Sequence, residues 1–376
     1  MSAAGLMYVG TFPRAYPSDT GDTAFGVYRL RTDAASGQLT PAGLTPAVRP
    51  GWIAPHPTGR FLYAAHEVHE FGGRPGGGVS AFAVDPATGE LTELNSRPTD
   101  ARLPCHCAVD RSGRYLLVAT NLDASVQLFP IEADGRLGPV ADVHRHHGSS
   151  VNQKRQSHAR AHSVTLDPDG RFVLVADLGT DRVEVYELDT GRGRLLPRPG
   201  SGARVRPGSG PRHLAFRPDG RFAYLISEMS ATMTAFGYDA ATGALTEIQT
   251  VPTLPADSPG YHSAAEIAVH PSGRFLYATN RSYGSAEPPV KGEDSIAWFS
   301  VEQDSGRLTP CGRVHTGGEI PRSFVIDPGG TVLWVANQRS SSIAAFLIDT
   351  GTGALTLTGQ PVPTPVPVCL QLLPAG

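Results

Sequence analysis

Lysine is nearly missing from this chain: 30 of its 32 basic residues are arginine, and only Lys154 and Lys291 are lysine. The choice of arginine at any one position therefore carries little information about the chemistry there. An excess of charge of one sign is missing as well. The 32 basic and 35 acidic residues leave a formal net charge of −3, which excludes strong electrostatic attraction to nucleic acid or an anionic membrane. No apolar run approaches the ~20 residues of a membrane span, and no secretory leader pattern precedes the first strand-like segment. A cytoplasmic protein is the expectation, and a monomer or weak homodimer.

Cysteine is scarce, at four residues. Cys105-His106-Cys107 is too tightly spaced for a structural zinc site, so these are expected to be buried or partly buried thiols. Metal-binding signatures are few. The His144, His146, His147 and His158 group lies in a loop rich in Arg, Gly and Ser and reads as solvated loop; Asp-x-Asp calcium loops are absent. So is the phosphate-cradling G-x-x-x-x-G-K, and no G-x-S-x-G elbow exists to carry a serine acyl-enzyme. No cofactor or metal is expected.

Glycine and proline are abundant, 43 and 33 residues, and they recur at fixed turns. A G-R turn stands at Gly59-Arg60, Gly113-Arg114, Gly170-Arg171, Gly220-Arg221 and Gly273-Arg274, with a degenerate copy at Gly329-Gly330. These glycines are 54, 57, 50, 53 and 57 residues apart. A second turn, D-x-x-T-G-x-L, closes on Leu39, Leu91, Leu137, Leu195, Leu245, Leu308 and Leu355. A period near fifty residues carrying four strand-sized segments predicts an all-β, seven-bladed propeller of four-stranded antiparallel blades, a single domain over 1–376. The N-terminal strand (residues 6–10) should pair with C-terminal strands to close the ring.

Alternation of strand direction puts both short turns on one face. The longer, polar connections, 66–78, 143–161, 251–264 and 280–294, share the other, where function is expected. The stretch 72–78 reads as a flexible glycine loop. Residues opening the innermost strands should ring the channel mouth on that face: Gly51, Cys105, His162, Arg212, Ala265 and Arg322, followed by Trp52, His106, Ser163, His213, Glu266 and Ser323. Exits of the second strands add Glu67, Asn121, Leu178, Glu228, Arg281 and Gln338, preceded by His66, Thr120, Asp177, Ser227, Asn280 and Asn337. Thr11 holds the exit position of the closing blade and should contribute little. Singly, each polar residue could do no more than satisfy exposed backbone. Together, three arginines, two glutamates and three histidines are costly to gather unless a ligand or reaction uses them. The set suits an anionic organic substrate and proton transfer.

Several stretches carry a family resemblance: Leu103-Pro104-Cys105-His106, Gly208–Phe216, Ala265–Gly273, Thr316-Gly317-Gly318 with Pro321-Arg322, Val335–Gln338 and Pro367-Val368-Cys369. The chain resembles the lactonase-type seven-bladed propellers, which include 6-phosphogluconolactonases and a carboxymuconate-lactonizing enzyme. The resemblance implies a catalytic group at His162, Arg212, Glu228 and Arg281. His106, Arg160, His213, Glu266, Asn280, Arg322 and Gln338 are added as substrate-binding candidates. Relatives commonly have a P-H-x-H pattern where this chain reads Ala159-Arg160-Ala161-His162, and residues 283–293 form an insertion. The expected function is metal-independent hydrolysis of a sugar-acid lactone, 6-phosphogluconolactone among the candidates, with a small anionic lactone or carboxylate as partner. Two alternatives stay open: a lactonizing cycloisomerase of carboxylated muconates, and a non-catalytic propeller binding a metabolite or partner.

Overall fold

The computed structural model describes residues 5–13, 25–283, 285–286, 289–290 and 292–374. They form seven antiparallel sheets of four successive strands, arranged as the blades of a propeller, the fourth of which carries a further short strand, Ala203–Arg204, beside Arg182–Asp189. The first blade is shared by the two ends of the chain. Its innermost strand is Pro367–Leu372, followed outward by Gly5–Thr11, Gly26–Thr32 and Leu39–Pro46. Blades two to seven open with innermost strands Pro50–Pro55, Pro104–Val109, Ala161–Leu166, Pro211–Phe216, His262–Val269 and Pro321–Ile326.

Most second strands are buried along their whole length, as in Phe61–His66, Phe172–Asp177 and Phe222–Ser227. Both of their faces meet neighbouring blades, so the sequence there is a continuous apolar run. Outermost strands such as Leu39–Pro46 are mostly exposed. The core is therefore a ring of blade-to-blade layers. In one of them Tyr63, Ala65 and Val79 pack on Cys107, Leu116, Val118 and Phe129.

The two short turns meet across the seams between blades. Tyr63 Oη donates to Gly135 O (3.0 Å), Tyr224 Oη to Gly306 O (3.1 Å) and Tyr277 Oη to Gly353 O (2.8 Å). Tyr8 Oη reaches Gly89 O (2.6 Å), Tyr115 Oη Thr190 O (3.0 Å), and Trp334 Nε1 Gly37 O (2.8 Å). Thus an aromatic from one blade seals the turn of the next at six seams. At the remaining seam, Tyr238 Oη donates backwards to Asp167 Oδ2 (2.9 Å). The seam needs glycine: at Gly306 φ is +69° and an added Cβ would lie 2.3 Å from Phe222 Cδ1.

The innermost strand of blade five starts at Pro211, and its outermost strand spans Ala244–Pro252. Residues 72–78 are not an unstructured glycine loop. Glu70–Phe71 and Arg74–Pro75 pair as a short hairpin, with Gly72 and Gly73 at φ +58° and +75° in its turn. Cys105, Cys107 and Cys369 are buried free thiols, whereas Cys311 is exposed.

Candidate active site

One irregularity, repeated around the ring, builds the site. At the start of each innermost strand the pairing slips by one residue: between Pro50 and Trp52, Pro104 and His106, Ala161 and Ser163, Pro211 and His213, Ala264 and Ile267, and Pro321 and Ser323. Successive side chains of a regular strand go to opposite faces. The extra residue of a β-bulge re-aims them, so Arg212 and His213, adjacent in sequence, both serve the channel.

A left-handed residue precedes the bulge in several blades: Arg49 (φ +43°), Leu103 (+55°), Gly210 (+69°) and Ile320 (+57°). Its carbonyl takes the N–H of the exit residue of the second strand. Glu228 N bonds Gly210 O (2.7 Å), Gln338 N bonds Ile320 O (3.0 Å), and Glu67 N bonds Arg49 O (3.1 Å). Bulge and exit residue are thereby held side by side.

Glu228 is the hub. Its Oε2 lies 3.2 Å from Arg212 Nε, 3.1 Å from Arg281 Nη2 and 3.8 Å from His162 Nε2. Its Oε1 accepts from Arg155 Nη2 at 2.5 Å. The arginines are themselves anchored: Arg212 Nη1 donates to Ala265 O (2.6 Å), and Arg281 donates to Ser263 O (3.2 Å), Ser263 Oγ (2.7 Å) and Ala264 O (3.0 Å). All four residues of the expected catalytic group, His162, Arg212, Glu228 and Arg281, therefore meet in one buried cluster.

Burial alone would raise the Glu228 carboxyl, but the cations Arg281, Arg212 and Arg155 outweigh it and hold the pKa well below the usual range. Burial, with help from Arg281 and Arg322, lowers Arg212 to about 10. It remains a cation at neutral pH. Burial and neighbouring Arg212 push His162 well below its ordinary value, so its ring is neutral.

The remaining candidates divide. His213 Nδ1 lies 2.8 Å from Glu266 Oε1. His106 stacks on Trp52 with centroids 4.2 Å apart and meets His213 edge-on at 5.2 Å. A cavity of about 340 Å³ runs down the channel from this layer, lined by Trp52, His106, His213 and Glu266 at one end and Pro271 and Gln371 at the other. Arg322 pairs with Glu67 at 3.5 Å and lies 5.4 Å over the Phe12 ring, which Arg49 covers at 4.1 Å. Arg160 stands in the sector between blades three and four, its Nη1 3.3 Å from Asn121 Oδ1. Gln338 is buried at its exit position.

Asn280 does not join the site. Its Oδ1 accepts from Thr253 Oγ1 (2.6 Å) and its Nδ2 faces Thr253 O (3.4 Å). Strand alternation sends Arg281 to the channel and its neighbour into the blade, where Asn337 likewise bonds Thr316 O (3.0 Å). Thr11, as expected, is turned away, its Oγ1 bonding Gly26 O (2.9 Å).

Arg155 was missed by sequence reasoning. Its loop has no counterpart in other blades, so the repeat could not place it. A local signal existed: Asn152 Oδ1 accepts from the N–H groups of Lys154 and Arg155 (both 3.1 Å), an Asx turn that sequence could have suggested. The 283–293 insertion lies partly outside the described residues; Tyr283 stands beneath the Arg281 guanidinium at 5.8 Å and beside Tyr261 at 6.2 Å. Among the described residues no group of three or more His, Cys, Asp or Glu could hold a metal ion.

Residues 6–372 match the family described as "Lactonase, 7-bladed beta-propeller". The chain belongs to that family. Among its relatives is a 6-phosphogluconolactonase of Bacillus subtilis, 34% identical over 97% of both chains. Another, of Formosa agariphila, is 31% identical over 93% of this chain and 94% of the relative. A solved structure, the periplasmic gluconolactonase of Pseudomonas aeruginosa, superposes with a TM-score of 0.88 at 31% identity and covers 100% of each chain. Within the lactonase family, the arginine-ringed Glu228 of this chain occupies the face on which the connections are long.

Proposed function

We propose that this protein hydrolyses a sugar-acid lactone, with 6-phosphogluconolactone the first substrate to test. The observation that carries the reading is the set of three guanidinium groups, Arg155, Arg212 and Arg281, converging on the single carboxylate of Glu228. That is an excess of positive charge in a low-dielectric pocket, suited to an anionic ligand and to the oxyanion formed when water adds to a lactone carbonyl. The names of the relatives support the same chemistry.

In this reading Arg212 and Arg281 polarise the carbonyl. Neutral His162, its Nε2 3.8 Å from the ionised Glu228 carboxylate, takes the proton of the attacking water, and the imidazolium that forms is stabilised by Glu228. The ring oxygen then leaves with that proton. Cytoplasmic residence belongs to the same proposal and is tested by cell fractionation, the more so because the Pseudomonas relative is named as periplasmic.

Arg212→Ala and Glu228→Gln are each expected to cut turnover of 6-phosphogluconolactone at least about a hundredfold. Wild-type hydrolysis no faster than the spontaneous reaction, across phosphorylated and plain sugar lactones, would defeat the reading. Carboxymuconate cyclisation in the same assay would replace it.

A further inference from the structure

Hydrolysis of a lactone at neutral pH ends with a carboxylate and one free proton. That proton arises beneath a bound anion, in a pocket walled by Arg155, Arg212 and Arg281. Cationic walls oppose its return through the mouth. A second way out lies directly below.

Glu266 is buried, yet it is not paired with an arginine. Its Oε1 lies 2.8 Å from His213 Nδ1 and accepts from Ile267 N at 3.2 Å. The His213 ring meets His162 edge-on with centroids 5.3 Å apart, so it reaches the layer in which the chemistry is placed. On its other side Glu266 lines the central cavity, which leads to Pro271 in the G-R turn on the opposite face. Pro271 is exposed, and Ala268 and Val269 between them are partly exposed. Glu266 thus stands between the Glu228 cluster and a passage to solvent on the opposite face.

We propose that Glu266, acting through His213, is the proton outlet of the site, delivering the proton released by hydrolysis to water in the central channel. The proposal rests on the lactonase reading above. The O–H bond of the newly formed carboxylic acid breaks, His213 takes up that proton at Nε2 as its Nδ1 gives one to Glu266 Oε1, and Glu266 releases it to channel water. No other reactant is needed. In this role Glu266 acts through His213, as a relay residue.

The electrostatic surroundings suit the task. Burial raises the Glu266 carboxyl to about 7, against the lowering influence of Arg212 and His106. A carboxyl near neutrality can take up and release a proton at each turnover, whereas Glu228, held far lower, cannot. The groups facing it are Arg212 and His213 from blade five, His106 from blade three and Cys369 from blade one. Blade seven adds Arg322, which acts on His213.

The test compares wild type with Glu266→Gln, Glu266→Asp and Glu266→Ala on a lactone that wild type hydrolyses. Glu266→Gln is expected to lower kcat at least about tenfold with KM within about twofold. Glu266→Asp should retain most of the rate, and added formate should accelerate Glu266→Ala. Ring-labelled histidine NMR should show a His213 step near pH 7 that Glu266→Gln abolishes. An unchanged kcat, a loss confined to KM, no response to formate, or a His213 signal indifferent to Glu266 each overturns the outlet. An inactive wild type removes the hydrolase reading itself, and the outlet with it.

Discussion

At the scale of single residues, four titratable groups in the channel pull stability in opposite directions with pH. His106, His162 and His213 are all pushed well below their ordinary value, burial being the main cause in each. A depressed histidine favours the fold above its unfolded value near 6.5 and withdraws that support as pH falls below it. Glu266, raised to about 7, does the reverse: its support is complete below the unfolded value near 4.5 and fades as pH rises through 7. Between about pH 4.5 and 6.5, three groups therefore oppose one. Wild-type Tm should fall on acidification from pH 7 to 5, and Glu266→Gln should make that fall steeper, by as much as about 1.4 kcal/mol of stability per pH unit. Thermal melts in a pH series check this. Glu228 adds its own loss only below its unfolded value near 4.5, where protonation removes the counter-charge of its arginines.

At the scale of the strand and the turn, the seams between blades carry the strongest expectations. Tyr224→Phe removes the partner of Gly306 O and should cost about 1 kcal/mol, the usual worth of a buried hydrogen bond. Gly306→Ala should cost more. It combines a left-handed φ, worth ~1–2 kcal/mol, with a Cβ 2.3 Å from Phe222. Urea denaturation of both variants gives the comparison, and equal losses would contradict the geometric argument. The same scale shows what the sequence could and could not reveal. Turns built on Gly-Arg mark five blades and the Gly-x-Leu type of turn recurs around the ring, so the faces and the ring of candidates were legible. The slip before Arg212 leaves none, because a bulge is a matter of hydrogen-bond register, and any residue type can occupy it. Asn280 was misplaced for a related reason: adjacency to Arg281 said nothing about which of the two points inward.

Across the whole molecule, closure depends on one strand. Pro367–Leu372 supplies the innermost wall of the first blade and pairs with Gly5–Thr11 through Met7, Tyr8, Val9 and Gly10. Its Cys369 packs with Tyr8, Ile53 and Leu62 from two adjoining blades. Removing residues 367–376 would bare an inner strand edge and open that layer to water. The truncated chain is expected to lose cooperative unfolding and to aggregate, measured by calorimetry and light scattering; a soluble, two-state truncation would show that the ring tolerates a gap. Closure was readable in advance because the blade count left the first strands without a partner. The loop contribution of Arg155 was not, since an element outside the repeat has no register from which to infer its direction.

The slipped pairing at each inner strand has an outcome for how such a molecule can change. Direction at those positions is dictated by the main chain, so Cys105 and Ala265 occupy sockets equivalent to those of Arg212 and Arg322. A point substitution in such a socket hangs a different functional group over the same opening while the sheets beneath stay as they are. New specificity can be auditioned one side chain at a time, on scaffolding that never has to be redrawn.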